Sequence, residues 1–189
     1  MRPDGSLYSA HGERKYLTVQ ERDRFFEEAA KEDLRFLAFC LVLALTGCRV
    51  SEALAVTSEH IDADEGCIRF RTLKRRKHQP PKWRSVPVPE QLVHLLFAIG
   101  DQPCERLFIW HRSTAWRRVR SIMARASITG PQACPKAFRH YFGVQADAKA
   151  IPQPILMRWM GHSKLESSEI YRQAVGSEET LLADRMSWI

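Results

Sequence analysis

Two short runs place side chains that can handle an anionic oxygen centre. One is Pro135-Lys136-Ala137-Phe138-Arg139; the other is Trp159-Met160-Gly161-His162, followed nine residues later by Tyr171. Guanidinium groups hold anionic oxygens through a planar, permanently charged fork. An imidazole adds a donor, and a phenol can become a covalent link that a later nucleophile displaces. Fixed cations and donors around oxygens that gain charge are the main catalytic device at such a centre. Taken singly these residues have ordinary explanations, since a lone tyrosine is usually structural and a histidine after glycine is usually a turn residue. Their joint order and spacing argue for a site.

The elements that must position them can be read locally. Pro135 suits the start of a helix, because its missing N–H would have had no partner there. Lys136 and Arg139, three apart, share a face of that helix, which turns His140 and Tyr141 toward the core. Gly161 closes the next apolar helix as a left-handed cap and leaves His162 on the turn beyond. Ser167, with Glu169 behind it, opens a short helix that carries Tyr171.

Earlier in the chain, Thr18 and Glu21 form a capping box for a first helix striped with Phe25, Phe26, Ala29 and Ala30. Asp33 caps a second helix, Leu34 to about Thr46, apolar enough to be buried nearly all round, and Gly47 ends it. Arg49 and Glu52 follow directly, as an i,i+3 pair. Residues 67–73 alternate apolar and polar as a half-buried strand does. Residues 84–89 form a second strand, held to an edge by its prolines. Between them, residues 74–83 make a strongly basic hairpin tip. Pro89 to about Ile99 is an amphipathic helix, residues 107–110 are a short buried segment, and Ser113 caps a helix to about Ala126. Helices outnumber strands, so the expected fold is mainly α (α+β) with one small antiparallel sheet.

At 189 residues the chain suits one domain with a real core, and 44% hydrophobic with 27% charged residues is ordinary for a soluble protein. No apolar run approaches the roughly 20 residues of a membrane span, and the N-terminus lacks a signal peptide's apolar core, so the cytosol is expected. Residues 1–16 read as a flexible polar arm. The net charge of +7 favours a polyanionic partner, and its distribution sharpens this. Arg69 to Arg84 holds eight Lys or Arg, and Arg112 to Arg125 holds five Arg. Arg75, Arg76, Lys77, Lys82 and Arg84 on the hairpin and Arg117, Arg118 and Arg120 on the helix are the candidate phosphate contacts. The cysteines (Cys40, Cys48, Cys67, Cys104 and Cys134) form no Cys-x-x-Cys pair and read as buried free thiols. No carboxylate cluster suggests a metal, and no Gly-rich phosphate loop is present.

The order Arg49/Glu52, Arg139, His162, Tyr171 resembles the catalytic domain of the tyrosine recombinase (phage integrase) family. That family carries Gly-x-Arg-x-x-Glu after a buried helix, a His-x-x-Arg helix, a Gly-His turn, and a tyrosine nine residues on. Lys136 stands where the family most often has histidine. The resemblance covers about residues 17–175. It implies a site-specific DNA recombinase of integrase or invertase type that cuts and rejoins strands through a 3′-phosphotyrosine. By the same resemblance Tyr171 is the nucleophile, Arg49 and Arg139 clamp the phosphate, Glu52 supports Arg49, and His162 donates. Lys74 is the lysine at the strand end that protonates the leaving oxygen, with Lys77 and Lys82 as alternatives. Lys136 is either base or phosphate donor. The resemblance further implies double-stranded DNA as partner, a homo-oligomer (a tetramer) on DNA, accessory DNA-bending proteins, no cofactor, no metal, and work on the nucleoid. The apolar end, within residues 176–189, would dock on a neighbouring protomer. Since the family usually has a DNA-binding domain ahead of this one, the chain reads as a minimal, catalytic-domain-only member or a piece of a longer one. Two other readings use the same residues: an inactive, recombinase-derived DNA-binding protein, and a type IB topoisomerase.

Overall fold

The computed structural model describes residues 6–72, 82–100, 105–162 and 166–173. Local rules hold well through the first half. Helix α1 (Val19–Ala29) starts in the full Thr18/Glu21 capping box, and α2 (Leu34–Thr46) starts with the Asp33 carboxylate accepting from Phe36 N–H. Gly47 ends α2 in the left-handed region at φ 59°. A Cβ there would also lie 2.6 Å from the Phe142 ring, so both conformation and space select glycine. Helix α3 (Val50–Ala53) follows at once.

The small sheet is antiparallel in the order β1 (Ile61–Asp62), β2 (Cys67–Arg71), β3 (Trp83–Pro87), with β3 on an edge as its prolines require. Cys67 faces Pro87, Ile68 faces Val86, and Phe70 faces Arg84. Ile68, Phe70, Arg84 and Val86 are buried, while Arg69, Arg71, Trp83 and Ser85 are exposed. This register points Arg84 inward, over the Phe70 ring at 5.2 Å.

Helices α4 (Glu90–Ile99) and α5 (Arg112–Arg125) pack with α1, α2 and the inner sheet face around one core. The cap of α5 is His111, whose Nδ1 accepts from Ser113 N–H, rather than Ser113 itself. Helices α6 (Lys136–Ala148), α7 (Gln153–Met160) and α8 (Glu166–Glu169) complete the described chain, α8 continuing into a single 3₁₀ turn, Ile170–Gln173. Cys40, Cys48 and Cys67 are buried free thiols, and burial pushes the Cys48 thiol up to about 12. Among the described residues no helix is long and apolar enough to cross a membrane, and no group of three His, Cys, Asp or Glu could hold a metal ion.

The N-terminal arm departs from expectation. Residues 6–16 fold back as a tight turn in which Lys15 N–H reaches Leu7 C=O at 2.7 Å and Ser9 N–H reaches Glu13 C=O at 2.7 Å. Leu7 and Tyr16 are buried in a second small core with Val144, Leu156, Met160 and Tyr171. Arg14 grips Glu21 with both guanidinium ends, at 2.5 and 2.6 Å. Two apolar anchors and one ion pair outweigh the polar composition that had suggested flexibility. Lys74, Arg75, Arg76, Lys77 and the apolar end lie outside the described residues.

Candidate active site

The site is built where the ends of α2, α6 and α7 meet. Arg49 begins α3 directly after the Gly47 turn. Glu52, one helical turn on, accepts from both Arg49 N–H and Arg49 Nη1, each at 2.9 Å. The same carboxylate takes Arg84 Nη2 at 2.7 Å and Nη1 at 3.3 Å. Arg84 Nε in turn donates to Trp159 C=O at 2.7 Å. Gly161 closes α7 at φ 63°, and a Cβ there would sit 3.1 Å from the Arg84 guanidinium. Arg84 therefore ties the sheet to α3 and to the turn that carries His162.

That role corrects the reading of Arg84 as a DNA contact. It is 5% exposed, with its guanidinium committed to Glu52 and a carbonyl. The alternation in residues 84–88 carried the signal, because Arg84 is in phase with the buried Val86. Burial alone would raise the Glu52 carboxyl. The Arg84 hydrogen bonds and charge, with Arg49 N–H and charge, outweigh it and hold the group below the ordinary carboxylate range. A group with a depressed folded-state pKa contributes stability above its ordinary range and loses it as pH falls. Glu52→Ala strands Arg84 without a counter-charge, so it is expected to lower unfolding free energy by about 3–5 kcal/mol. Urea denaturation at neutral pH measures this, and a loss under about 1 kcal/mol would show the pair to be dispensable.

Arg139 is buried on α6. Its Nη1 donates to Gly47 C=O at 2.6 Å and its Nη2 to Met160 C=O at 2.7 Å. Two carbonyls on separate elements hold the guanidinium plane. Burial, together with repulsion from Arg49, pulls its pKa down to about 10, so it stays charged at neutral pH. Three guanidiniums (Arg49, Arg84, Arg139) and one carboxylate (Glu52) leave 3 − 1 = 2 positive charges in excess among these four groups. Such an excess favours an anionic ligand.

His162 sits beside this cluster, with Nδ1 2.8 Å from Ser168 Oγ. Burial, reinforced by Arg139, Arg49 and Arg84, lowers its pKa to about 3 and keeps the ring neutral. Tyr171 is 2% exposed and lies parallel to the His162 ring, centroids 6.4 Å apart and planes 10° apart. The His140 ring lies 6.1 Å from that of Tyr171, tilted by 58°. The slot exists because Gly143 has no side chain, since a Cβ there would lie 2.5 Å from the tyrosine ring. Burial raises the Tyr171 phenol to about 12, against the lowering pull of Arg139 and Arg49.

Arg49, Glu52, Arg139, His162 and Tyr171 are thus brought together. Lys136 is exposed at the start of α6, and among the described residues no hydrogen bond or ion pair joins it to the cluster. His140 is core, as read, but against Tyr171; its charged form is disfavoured by burial, then by Lys136 and Arg139, to about 3. The pattern reading did not anticipate Ser168, Gly143 or the Met160 carbonyl. On the candidate DNA faces, Lys82, Arg117 and Arg120 are exposed. Arg118, on the same helix, is engaged within the fold. It bridges Glu32 at 3.0 Å and Asp33 at 2.6 Å, and its guanidinium covers the Phe36 ring at 4.0 Å.

Residues 15–177 match the phage integrase family, and the chain belongs to that family. It is 28% identical over 171 residues to tyrosine recombinase XerA of Pyrococcus furiosus, covering 83% of this chain and 56% of that protein. Tyrosine recombinase XerD of Pasteurella multocida is 25% identical over 175 residues, covering 83% and 57%. The chain thus spans somewhat over half the length of these curated relatives. Among solved structures, the XerA recombinase crystal structure matches with TM-score 0.77 at 25% identity, over 91% of this chain and 65% of that one. The catalytic domain of bacteriophage HP1 integrase matches in fold with TM-score 0.68 at 22% identity, over 89% and 93%. The mainly α fold with its three-stranded antiparallel sheet is therefore that of recombinase catalytic domains, as the motifs implied.

Proposed function

We propose that this chain catalyses site-specific DNA recombination, with Tyr171 as the nucleophile. The observation that carries the reading is the seat of Tyr171, held in its own chain's site against His162 and His140 beside Arg49 and Arg139. On this reading the scissile phosphate binds in the excess positive charge, with Arg49, Arg139 and His162 donating to its non-bridging oxygens. The Tyr171 phenol gives up its proton to water as its oxygen attacks phosphorus, the P–O5′ bond breaks, and the leaving oxygen takes a proton. The family resemblance gives that proton to Lys74, with Lys77 and Lys82 as alternatives. A free 5′ hydroxyl then attacks the phosphotyrosine, restoring a phosphodiester and the phenol. Electrostatic preorganisation carries most of the rate, and no step invokes a metal or cofactor.

A related DNA-bound protein supports duplex DNA as the partner: XerH, whose structure is a pre-cleavage complex with its difH substrate, shares the fold with TM-score 0.71 at 17% identity. Two sites must meet for strands to exchange, so the working assembly is a homo-oligomer, a tetramer, on nucleoid DNA in the cytosol, aided by DNA-bending proteins. The test uses nicked half-site DNA in excess EDTA. A denaturant-resistant protein–DNA adduct is expected, and strand exchange between two sites is expected to follow. Binding without an adduct would leave an inactive DNA-binding descendant. Adduct and relaxation without exchange would point to topoisomerase chemistry.

Lys136 completes this reading as a charged phosphate donor rather than a base. A lysine ammonium has three donors and no acceptor, which suits it to holding a phosphate oxygen. Lys136→Arg is expected to retain substantial cleavage, and Lys136→Ala to lose roughly 10²-fold, the scale of one oxyanion donor. Arginine as inactive as alanine, with histidine restoring the rate, would make Lys136 the base.

A further inference from the structure

Ser168 lies three residues before Tyr171 on the same short segment and is fully buried. A buried hydroxyl has one hydrogen to give, and leaving it unspent costs more than leaving a lone pair unused. Among the described residues the partner of Ser168 Oγ is His162 Nδ1, at 2.8 Å, on the turn after α7. The cheaper arrangement has Ser168 donating and Nδ1 accepting.

We propose that Ser168 is a positioning residue that donates to His162 Nδ1 and so keeps the ring's N–H on Nε2, facing the reacting phosphate. The inference rests on the recombinase reading of His162 and Tyr171 above. A neutral imidazole carries a single N–H, so its placement decides whether the ring offers a phosphate oxygen a donor or a repelling lone pair. Burial and three neighbouring arginines favour that neutral form, lowering the pKa to about 3. His162 Nε2 has no hydrogen-bond partner among the described residues, which leaves that nitrogen for an incoming oxygen. The geometry also couples two events. Ser168 and Tyr171 travel on one segment, so seating the nucleophile and selecting the histidine tautomer occur together.

Four measurements test this on the full chain. Nitrogen NMR of histidine-labelled protein is expected to show the Nε2–H tautomer for His162, and the Nδ1–H tautomer would overturn the proposal without any mutation. Ser168→Ala is expected to cut single-turnover adduct formation about tenfold with DNA affinity unchanged, the scale seen when an orienting partner is removed. Ser168→Thr is expected to restore the rate. In a His162→Ala background, Ser168→Ala is expected to cost nothing further, because the serine acts through the histidine. An equal loss in that background, or a full rate in the single variant, would overturn the proposal. An adduct that persists in Tyr171→Phe would instead sink the assignment of Tyr171 as the nucleophile while leaving the tautomer result standing.

Discussion

Tyr171→Phe is expected to bind DNA as tightly as the parent chain and to form no denaturant-resistant adduct at all. The change removes one oxygen and leaves the ring, so the slot between His162, His140 and Gly143 stays filled. No hydrogen bond of the Tyr171 hydroxyl is present among the described residues, so the fold loses little. The cleavage reaction loses its nucleophile, and no neighbouring group replaces it. The phenol also makes a pH prediction. Burial raises it to about 12, so it is protonated at neutral pH and must lose its proton as it attacks. Single-turnover adduct formation should therefore rise with pH through the neutral range. A persistent adduct in the phenylalanine variant would move the nucleophile elsewhere. Tyr141 would be examined next, although its hydroxyl accepts from Arg22 Nη1 at 2.8 Å and the residue is buried.

DNA affinity should fall about 10³-fold between about 50 and 200 mM salt, the response of a protein that neutralises roughly six phosphates. The structure narrows which arginines contribute. Arg117 and Arg120 are exposed on α5, and Arg120 lies over the Trp116 ring at 5.0 Å. Replacing either with alanine should lower the steepness of the salt dependence by about one phosphate's worth. Arg118→Ala should leave the salt slope unchanged and lower thermal stability, because that guanidinium already serves Glu32, Asp33 and the Phe36 ring. Filter binding across a salt series, beside thermal melts, separates the two. A flat salt response would mean that these faces do not meet the backbone. A changed slope in Arg118→Ala would mean that its ion pairs open when DNA binds.

The contrast between Arg117 and Arg118 shows where sequence reasoning reached its limit. Both sit in one basic run, and residue type ranks them equally. Their difference comes from Glu32 and Asp33, 86 and 85 positions away, which the packing of α1 against α5 brings alongside Arg118. Arg84 was in principle more legible. Strand alternation put it on the buried face, yet its charge and its basic neighbours suggested solvent. The approach of Glu52 from α3 and of the Trp159 carbonyl makes an inward guanidinium tolerable.

By itself the sequence determined whatever depends on residues within a turn or two. The Thr18/Glu21 box, the Asp33 cap, the left-handed Gly47 and Gly161, the Arg49–Glu52 pair and the β2 alternation all follow from hydrogen-bond rules and side-chain periods that act locally. The order of Arg49, Arg139, His162 and Tyr171 was legible for the same reason, since each is anchored to such a local signal. Tertiary structure alone decided which carbonyls hold Arg139, that Ser168 meets His162, and that Leu7 and Tyr16 seat the supposed arm beneath Tyr171. Those outcomes turn on burial and on partners distant in sequence. A buried polar group's free energy depends on what the fold sets against it, and an apolar anchor's on whether a groove receives it.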